Sequence, residues 1–563
     1  NKQLSFKTRH KLTFTPSFNN QDHFLTMFGE FEANIGNNSG QSVDSNGMPT
    51  GIESPTTGSY LNSSSTWTGQ WRSTSFKGSA VYSFKEGRYS ATATVRADGS
   101  TKFGKNNRWG AFPGISARWN IIDEPWMKWA EDKIKMSMLS LRPGWGMTGQ
   151  QPGSEYLHYT TYSGKDLAYI GTSVMAQGGL RLTDLKWEKK KEYNLGTDIG
   201  FFDDNLQLTY NYYDGTTSDQ LMGGYAIPQS NGYSSLAYKN TGSVRNRGWE
   251  ITVNGNDFIK IGDLKISGYA NVARNFNTIT EMEESILENQ NPDYGFNNGG
   301  YLGRIQIGNP LGSIYGFRYK GVYQYGYDNW EKALSLGATC PIAYDSNGNI
   351  IYGANGKPLP LYFDFGGVDY KFRGGDAMYE DINHDGNINE LDLVYLGNSN
   401  PLFTGGFGFT FRYKRLSLRT NFNYRYGVDV INRARMNVEN MHSNYNQSVA
   451  VNWRWRKEGD PVTSLPRAMY NAGYNWLGSD RYVEDASFLR LSYLSLSYAV
   501  DPQILKKYGM NQLSLTGSAN NMFILTKYTG LDPEIGSNGW GQAFDNSKTP
   551  RSRSFTLSLT LGF

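Results

Sequence analysis

The residues with the clearest capacity for chemistry lie in one twelve-residue stretch, 381–392. Its positions 1, 3 and 5 carry side-chain oxygens, position 6 is glycine, position 8 is apolar and position 12 is a carboxylate. This pattern wraps a hard cation in a tight loop of oxygen ligands. It predicts a structural Ca²⁺ site held by the side chains of Asp381, Asn383 and Asp385, the main-chain carbonyl of Asn387, and Asp392.

The alternative to a calcium site is a plain Asx-rich turn, but six matching positions favour calcium. Position 12 is Asp where helix–loop–helix sensors have Glu, and in this the stretch resembles dockerin-like loops. The five histidines elsewhere have no metal-ligand spacing. The sequence contains no nucleophile elbow and no phosphate-binding glycine loop. We therefore predict no catalytic residues, no enzymatic activity and no other cofactor.

Fifteen stretches of alternating apolar and polar residues are predicted to form the strands that position this loop. In the last of them, 553–563, every odd-numbered residue from Phe555 to the final Phe563 is apolar. Each stretch is about ten residues long and has one apolar and one polar face, which is typical of strands that cross a membrane. The predicted strands are 10–18, 23–34, 74–85, 88–97, 110–121, 132–141, 189–202, 205–214, 247–256, 263–274, 402–413, 416–427, 486–500, 512–522 and 553–563.

The connections between these strands alternate strictly between short turns and long loops rich in Gly, Asn, Ser, Tyr and Trp. The longest, 275–401, contains the calcium-like loop 381–392. Short turns on the periplasmic side and long loops on the extracellular side are the asymmetry of outer-membrane barrels, whereas a soluble sandwich has no reason to segregate its loops. We expect an all-β fold, a transmembrane antiparallel β-barrel with long extracellular loops in the bacterial outer membrane. An odd strand count further predicts that strands preceding Asn1 are absent from this chain.

Composition agrees with a barrel around a wet lumen. Only 38% of the residues are hydrophobic, yet 15% are aromatic, which suits strands that face lipid at alternate positions. The net charge of +4 gives no reason to expect nucleic acid as a partner. Cys340 is the only cysteine, so no intrachain disulfide is expected.

Aromatic residues in the long loops are candidates for ligand binding, because flat rings among Asn and Asp stack on sugars or grip peptide side chains. Anchoring at the membrane interface and packing within loops are the alternatives for each of them. The ligand-binding candidates are Trp67, Trp71, Tyr474, Trp476 and Trp540.

Several further motifs follow one another along the chain, at 187–196, 240–250, 310–317, 381–407, 486–491, 519–523 and 528–534. Together, in this order and spacing, they resemble those of the SusC/RagA class of TonB-dependent outer-membrane transporters. The resemblance implies a 22-strand barrel, of which this chain supplies about strands 8–22. It also implies an N-terminal plug with a TonB-interacting segment, both absent from this chain, and a SusD-type lipoprotein lid.

Two functions are compatible with these patterns. The first is active import of an oligomeric nutrient, glycan or peptide, by a barrel that works with a SusD-like lipoprotein, TonB and a polypeptide carrying the plug and the remaining strands. The second is a plugless structural or adhesive barrel whose Tyr-rich loops form the working surface. The residue pattern does not separate glycan from peptide as the substrate.

Overall fold

The fold is built from strands joined by long loops that carry a few short helices. The computed structural model describes residues 1–46, 60–160, 162–169, 172–233, 235–290, 300–302, 305–365, 368–536 and 541–563. The strands are β1 (Lys2–Phe14), β2 (His23–Asn46), β3 (Tyr60–Phe84), β4 (Tyr89–Ser100), β5 (Trp109–Asn120), β6 (Met136–Gln150), β7 (Tyr162–Tyr169), β8 (Thr172–Gln177), β9 (Glu188–Phe201), β10 (Leu206–Ser218), β11 (Leu221–Ala226), β12 (Ser235–Asn240), β13 (Ser243–Ile261), β14 (Leu264–Glu281), β15 (Ser313–Gly316), β16 (Tyr319–Val322), β17 (Tyr362–Phe365), β18 (Val368–Lys371), β19 (Ala377–Tyr379), β20 (Asn387–Ile388), β21 (Val394–Asn398), β22 (Phe403–Tyr413), β23 (Leu416–Tyr426), β24 (Asp429–Ile431), β25 (Val483–Asp485), β26 (Phe488–Ala499), β27 (Gln512–Thr526) and β28 (Ser554–Gly562). The helices are α1 (Lys128–Ile134), α2 (Glu284–Gln290), α3 (Trp330–Ser335), α4 (Arg433–Glu439) and α5 (Pro502–Lys506). In the described part of the chain, no helix is both long and apolar enough to cross a membrane.

Fifteen of these strands form one sheet whose order follows the chain, and they correspond one to one to the fifteen predicted stretches. The order is β1-β2-β3-β4-β5-β6-β9-β10-β13-β14-β22-β23-β26-β27-β28. The prediction of an antiparallel all-β fold is therefore confirmed. By internal contacts the chain divides into two compact units, Asn1–Trp249 with Thr280–Asn289, and Glu250–Ile279 with Gln290–Phe563.

Some predicted strand boundaries were wrong. β1 ends at Phe14, not at residue 18, because Pro16 has no N–H to donate to the ladder. The predicted strand 132–141 begins only at Met136. α1 occupies the chain to Ile134, and Lys135 caps it in a left-handed conformation with φ of 54°. The loop predicted to start at residue 275 starts later, because β14 continues to Glu281.

In the first unit, strand register brings apolar side chains into continuous rows across the sheet. One row passes through Phe14, Met27, Ala80, Ala93, Ile115, Trp145 and Tyr193, each paired directly with the next. The opposite face carries a charged row, Lys11, Glu30, Lys77 and Arg96. A sheet with one apolar and one charged face matches lipid on one side and a wet lumen on the other.

The second unit repeats this division of faces. Its apolar row contains Tyr413, Leu416, Tyr498, Leu515 and Leu559, paired in that order. The neighbouring row on the other face contains Arg412, Ser417, Ser497, Thr516 and Ser558. The predicted phase of these strands is thus confirmed.

The β-bulge predicted from the phase change in the strand at 486–500 is present in β26. Phe422 pairs with Leu491 and Asn421 with Tyr493, so Ser492 is the extra residue. Its hydroxyl donates to the main-chain oxygen of Asn421 at 2.9 Å. The bulge shifts the alternation by one residue and so keeps apolar side chains on the same face in both halves of the strand.

The long connections of the second unit fold into a packed region that we call the loop domain, the described residues within 300–402, 428–487 and 528–553. Its largest core cluster contains Phe317, Tyr323, Phe363, Phe372 and Ile388 among others, all nearly inaccessible to solvent. Main-chain bonds join segments far apart in sequence, such as Gly459 N to Gln324 O at 3.0 Å and Ile431 N to Ala543 O at 3.0 Å. The three connections therefore stabilise one another.

Candidate functional site

The predicted calcium loop adopts a tight turn in which carboxylates accept main-chain N–H groups. Gly386 N donates to Asp381 Oδ2 at 2.9 Å, and Asn387 N donates to Asp385 Oδ1 at 2.8 Å. Asn383 Nδ2 donates to Asp385 Oδ2 at 2.8 Å. Gly386 has a φ of 84°, the left-handed conformation that the sixth position of such a loop requires.

Asp392, the closing residue, is fully buried. Its two carboxylate oxygens accept from Ile382 N at 2.7 Å and from Asn389 N at 2.9 Å. Burial raises the pKa of Asp392 to about 6, and the charges of Asp381 and Asp385 act in the same direction. Three carboxylates thus lie close enough to repel one another, which is the electrostatic condition that a cation relieves.

The loop is attached to the core of the loop domain. Ile388, the apolar eighth position, is fully buried in the largest core cluster. β20 pairs in parallel with β17, and His384 Nδ1 lies 3.1 Å from the main-chain oxygen of Tyr344. Among the described residues, no group of three or more His, Cys, Asp and Glu side chains is already gathered for metal binding. Calcium binding would therefore depend on the asparagine and main-chain oxygens as well.

Trp67 and Trp71 lie on β3, on the polar face of the first unit. Each stands opposite a glycine of β2: Trp71 pairs with Gly36, and Trp67 with Gly40. The indoles lie over these glycines so closely that a Cβ there would clash with them. Trp67 keeps 51% of its surface exposed. The structure therefore places both predicted ligand-binding residues on the same face of one strand, with Trp67 exposed and Trp71 partly buried.

A cavity of about 610 Å³ lies on the same face in the first unit. Its lining combines charged, amide and aromatic groups: Ser73, Lys77, Thr94, Arg96, Asp98, Gly99, Phe112, Met147, Thr148, Gly149, Gln150, Gln151 and Trp187. Arg96 and Asp98 form an ion pair at 2.8 Å. Sequence reasoning missed this cavity, although the alternation in β3 and β4 placed Lys77, Thr94 and Arg96 on one face.

Two of the other predicted ligand-binding residues, Tyr474 and Trp476, belong to the second unit. Tyr474 stacks on Phe363 at 4.0 Å between ring centroids, within the loop domain. Trp476 is 2% exposed and packs in a core cluster with Met436 and Tyr482. In this conformation Trp476 contributes to packing of the loop domain. Trp540 lies outside the described residues.

The loop domain also contains a buried ion pair that the sequence did not reveal. Asp376, with no exposed surface, accepts from Arg467 Nε at 2.7 Å, Tyr370 Oη at 2.8 Å and Arg373 N at 2.8 Å. Asp376 and Arg467 are 91 residues apart. Neither residue belongs to a local motif, so only the folded chain identifies the pair.

Comparisons with known proteins place this architecture in a family. The family model "TonB dependent receptor-like, beta-barrel" matches residues 1–373. TonB-dependent receptor P39 of Formosa agariphila is 31% identical over 499 residues, covering 86% of this chain and 45% of the relative. TonB-dependent receptor SusC of Bacteroides thetaiotaomicron is 28% identical, covering 84% of this chain and 42% of the relative. The solved RagAB peptide transporter superposes with a TM-score of 0.77 at 22% identity, covering 100% of this chain and 56% of that chain.

The chain belongs to the TonB-dependent receptor-like β-barrel family, and its place is the outer membrane. The resemblance to the SusC/RagA class is confirmed by the curated relatives, and the fold by the solved structures. The chain spans about half the length of the curated relatives it matches.

Proposed function

We propose that this chain forms the barrel wall of a transporter that actively imports an oligomeric nutrient, glycan or peptide, across the outer membrane. The observation that carries the proposal is the division of the sheet into an apolar and a polar face, with Trp67, Trp71 and the 610 Å³ cavity all on the polar face of the first unit. Family membership supports the same role. The partners would be a SusD-like lipoprotein lid, TonB and a plug-bearing polypeptide segment.

The two ends of the strand order support a requirement for further strands. In the described residues, β1 is paired with β2 and β28 with β27, and neither has a second neighbour in the sheet. Unpaired main-chain N–H and C=O groups are not tolerated in hydrocarbon, because each costs several kcal/mol there. We propose that strands from outside residues 1–563 pair with β1 and β28 in the membrane, consistent with the greater length of the relatives.

Import can be tested with the Trp67→Ala/Trp71→Ala double variant of the assembled transporter. An aromatic contact contributes roughly 0.5–1.5 kcal/mol, so losing both should weaken substrate binding by about 5- to 150-fold. The measurement is uptake of labelled oligosaccharide and peptide mixtures by energised cells, compared with cells lacking TonB. Phe76→Ala, a half-exposed aromatic on the opposite face of the same strand, is the matched control.

Uptake in wild-type cells that did not depend on TonB, or no uptake of any oligomer, would contradict import. That outcome would favour the structural or adhesive barrel. Equal uptake by the double variant and the Phe76→Ala control would instead show that the two tryptophans do not contribute to substrate binding, and the import proposal would stand.

We also propose that Asp381, Asn383, Asp385, the Asn387 carbonyl and Asp392 bind one structural Ca²⁺. The donor types suit calcium, because all are hard oxygens and the mutual repulsion of the carboxylates is relieved by a cation. Mg²⁺ should substitute poorly, because it requires a tighter octahedron and loses its waters reluctantly.

The calcium proposal predicts that Asp385→Ala abolishes binding, leaves the barrel folded and makes residues 375–400 more sensitive to protease. Calorimetric titration with Ca²⁺ and limited proteolysis with ion or chelator check this. Asp369→Ala, an exposed carboxylate in the same loop domain, should behave like wild type. If wild type binds no calcium and is cleaved at the same rate with ion and chelator, the stretch is only an Asx-rich turn.

A further inference from the structure

The loop domain contains a second cavity, of about 630 Å³, that lies wholly within the second unit. Its walls are mainly apolar and include Ile342, Leu361 and Met378, together with the rings of Tyr323 and Tyr379. Pockets of this size with apolar walls and few polar groups are typical binding sites for small ligands or side chains. None of the predicted ligand-binding residues lines this cavity.

Tyr323 is the polar group that faces this cavity from the core. Only 3% of its surface is exposed, and its main chain is fixed by Tyr323 N to Asp376 O at 3.0 Å and Gly375 N to Tyr323 O at 2.6 Å. Its hydroxyl makes no hydrogen bond within the part of the chain that the structure describes. Its oxygen keeps solvent contact in the cavity, so a ligand that enters there replaces water as the hydrogen-bond partner of this hydroxyl.

The other polar groups of the lining are largely engaged already. Thr339 Oγ1 donates to Val322 O at 2.9 Å and accepts from Gln324 N at 3.0 Å. Lys320 Nζ pairs with Glu380 at 2.9 Å. Asp381 accepts main-chain donors of the calcium-like loop. Tyr344 and His384 are also part of the lining. The cavity therefore combines broad apolar contact with a smaller number of hydrogen-bonding groups.

This balance of groups favours an aromatic side chain over a sugar. A sugar ring carries a hydroxyl on most of its carbons and would leave several without partners against aliphatic walls. A tyrosine-sized side chain buries its ring against Leu361 and Met378, whose thioether packs favourably on aromatics, and needs one partner for its hydroxyl. We propose that this cavity binds an aromatic side chain of an oligopeptide, which makes peptides the substrate class. The inference rests on the proposed import function.

Cys340 provides a specific reporter for this proposal. It is the only cysteine of the chain, it lines the cavity, and it is 4% exposed. Burial raises the pKa of its thiol to about 11, so labelling is slow and is best followed at mildly alkaline pH. A ligand that fills the cavity will block the reagent, and labelling of the Cys340 peptide can be quantified by mass spectrometry.

The experiment measures the rate at which N-ethylmaleimide labels Cys340 in the purified, assembled transporter. N-acetyltyrosinamide at saturating concentration should slow labelling at least about 5-fold, whereas maltose should leave the rate unchanged. Protection by maltose instead, or protection by neither compound, overturns the proposal. Cys340→Ser gives the background from any other polypeptide of the complex.

Two variants make the result independent of a single substitution. Ala338→Phe fills the cavity, so it should abolish the protection by N-acetyltyrosinamide, while Ser335→Phe, exposed at the end of α3 outside the lining, should not. Tyr323→Phe keeps the ring and removes the hydroxyl, and it should weaken protection about 5- to 10-fold. If N-acetyltyrosinamide protects Cys340 at the same concentration in wild type and in Tyr323→Phe, the hydroxyl has no role in binding.

Uptake separates this inference from the proposed function. Cells with Ala338→Phe should lose uptake of tyrosine-containing peptides and keep uptake of peptides without aromatic residues. Unchanged uptake of tyrosine peptides by this variant overturns the cavity as a substrate site while import stands. Absence of all uptake in wild type counts against the import function itself.

Discussion

Replacing Asp376 by alanine is expected to destabilise the loop domain by roughly 3 kcal/mol. The change leaves the Arg467 guanidinium in a mostly buried position without its carboxylate, and it also removes the acceptor for Tyr370 Oη and Arg373 N. Breaking a buried ion pair on one side is costly because the remaining charge stays desolvated. Hydrogen exchange of the amides in 368–392 and 463–479 should accelerate about 100-fold.

The matched control is Glu380→Ala in the same segment. Glu380 forms ion pairs with Lys320 and Arg318 that are partly exposed, and such pairs contribute about 0–1 kcal/mol. Its exchange rates should stay within about 5-fold of wild type. If these amides exchange at the same rate in Asp376→Ala and Glu380→Ala, the buried ion pair does not hold the loops together.

The second large effect is expected at the lipid-facing side of β22. Phe409 belongs to the apolar face and is 39% exposed, whereas Thr410 points to the face that carries Arg412. An arginine on the lipid face near mid-bilayer costs about 2–4 kcal/mol, while one on the lumen face stays hydrated. Phe409→Arg should therefore strongly reduce the heat-modifiable, folded barrel in outer membranes, and Thr410→Arg should not.

Arg419 stands directly across from Thr410, so a second control is useful. Thr410→Glu replaces repulsion by attraction at the same position and should also assemble normally. Equal loss of folded barrel from Phe409→Arg and both Thr410 variants would refute the assignment of the faces.

The strands could be predicted from the sequence because a lipid-facing strand must alternate. β22 and β23 agree with their predicted ranges within a residue, since 407–413 and 416–426 carry apolar or aromatic side chains at every second position except Thr420. β2 and β3 extend far past their predicted ranges, to Asn46 and from Tyr60. Their outer parts are rich in Ser, Asn, Gly and Thr, and they are held by main-chain pairing that leaves no apolar period to detect.

The loop domain could not be predicted for a different reason. Phe317, Ile388 and Trp476 meet in it from connections that read as polar loops, and their apolar residues follow no period. The same holds for Asp376 and Arg467, whose pairing depends on chain segments far apart in sequence. The calcium-like motif and the pair Trp67 and Trp71 could be proposed from the sequence because their signals lie within a few residues, and both remain predictions.

The glycines beneath the indoles of Trp67 and Trp71 make positions without a side chain part of the shape of the polar face. Gly36 and Gly40 leave room for Trp71 and Trp67 to lie flat across β2, and a methyl group at either position would force its indole away. The orientation of each aromatic ring is thus encoded on the neighbouring strand. A single Gly→Ala change would redirect the ring while keeping the tryptophan itself, so the shape of this face depends on residues that an inventory of its aromatic side chains leaves out.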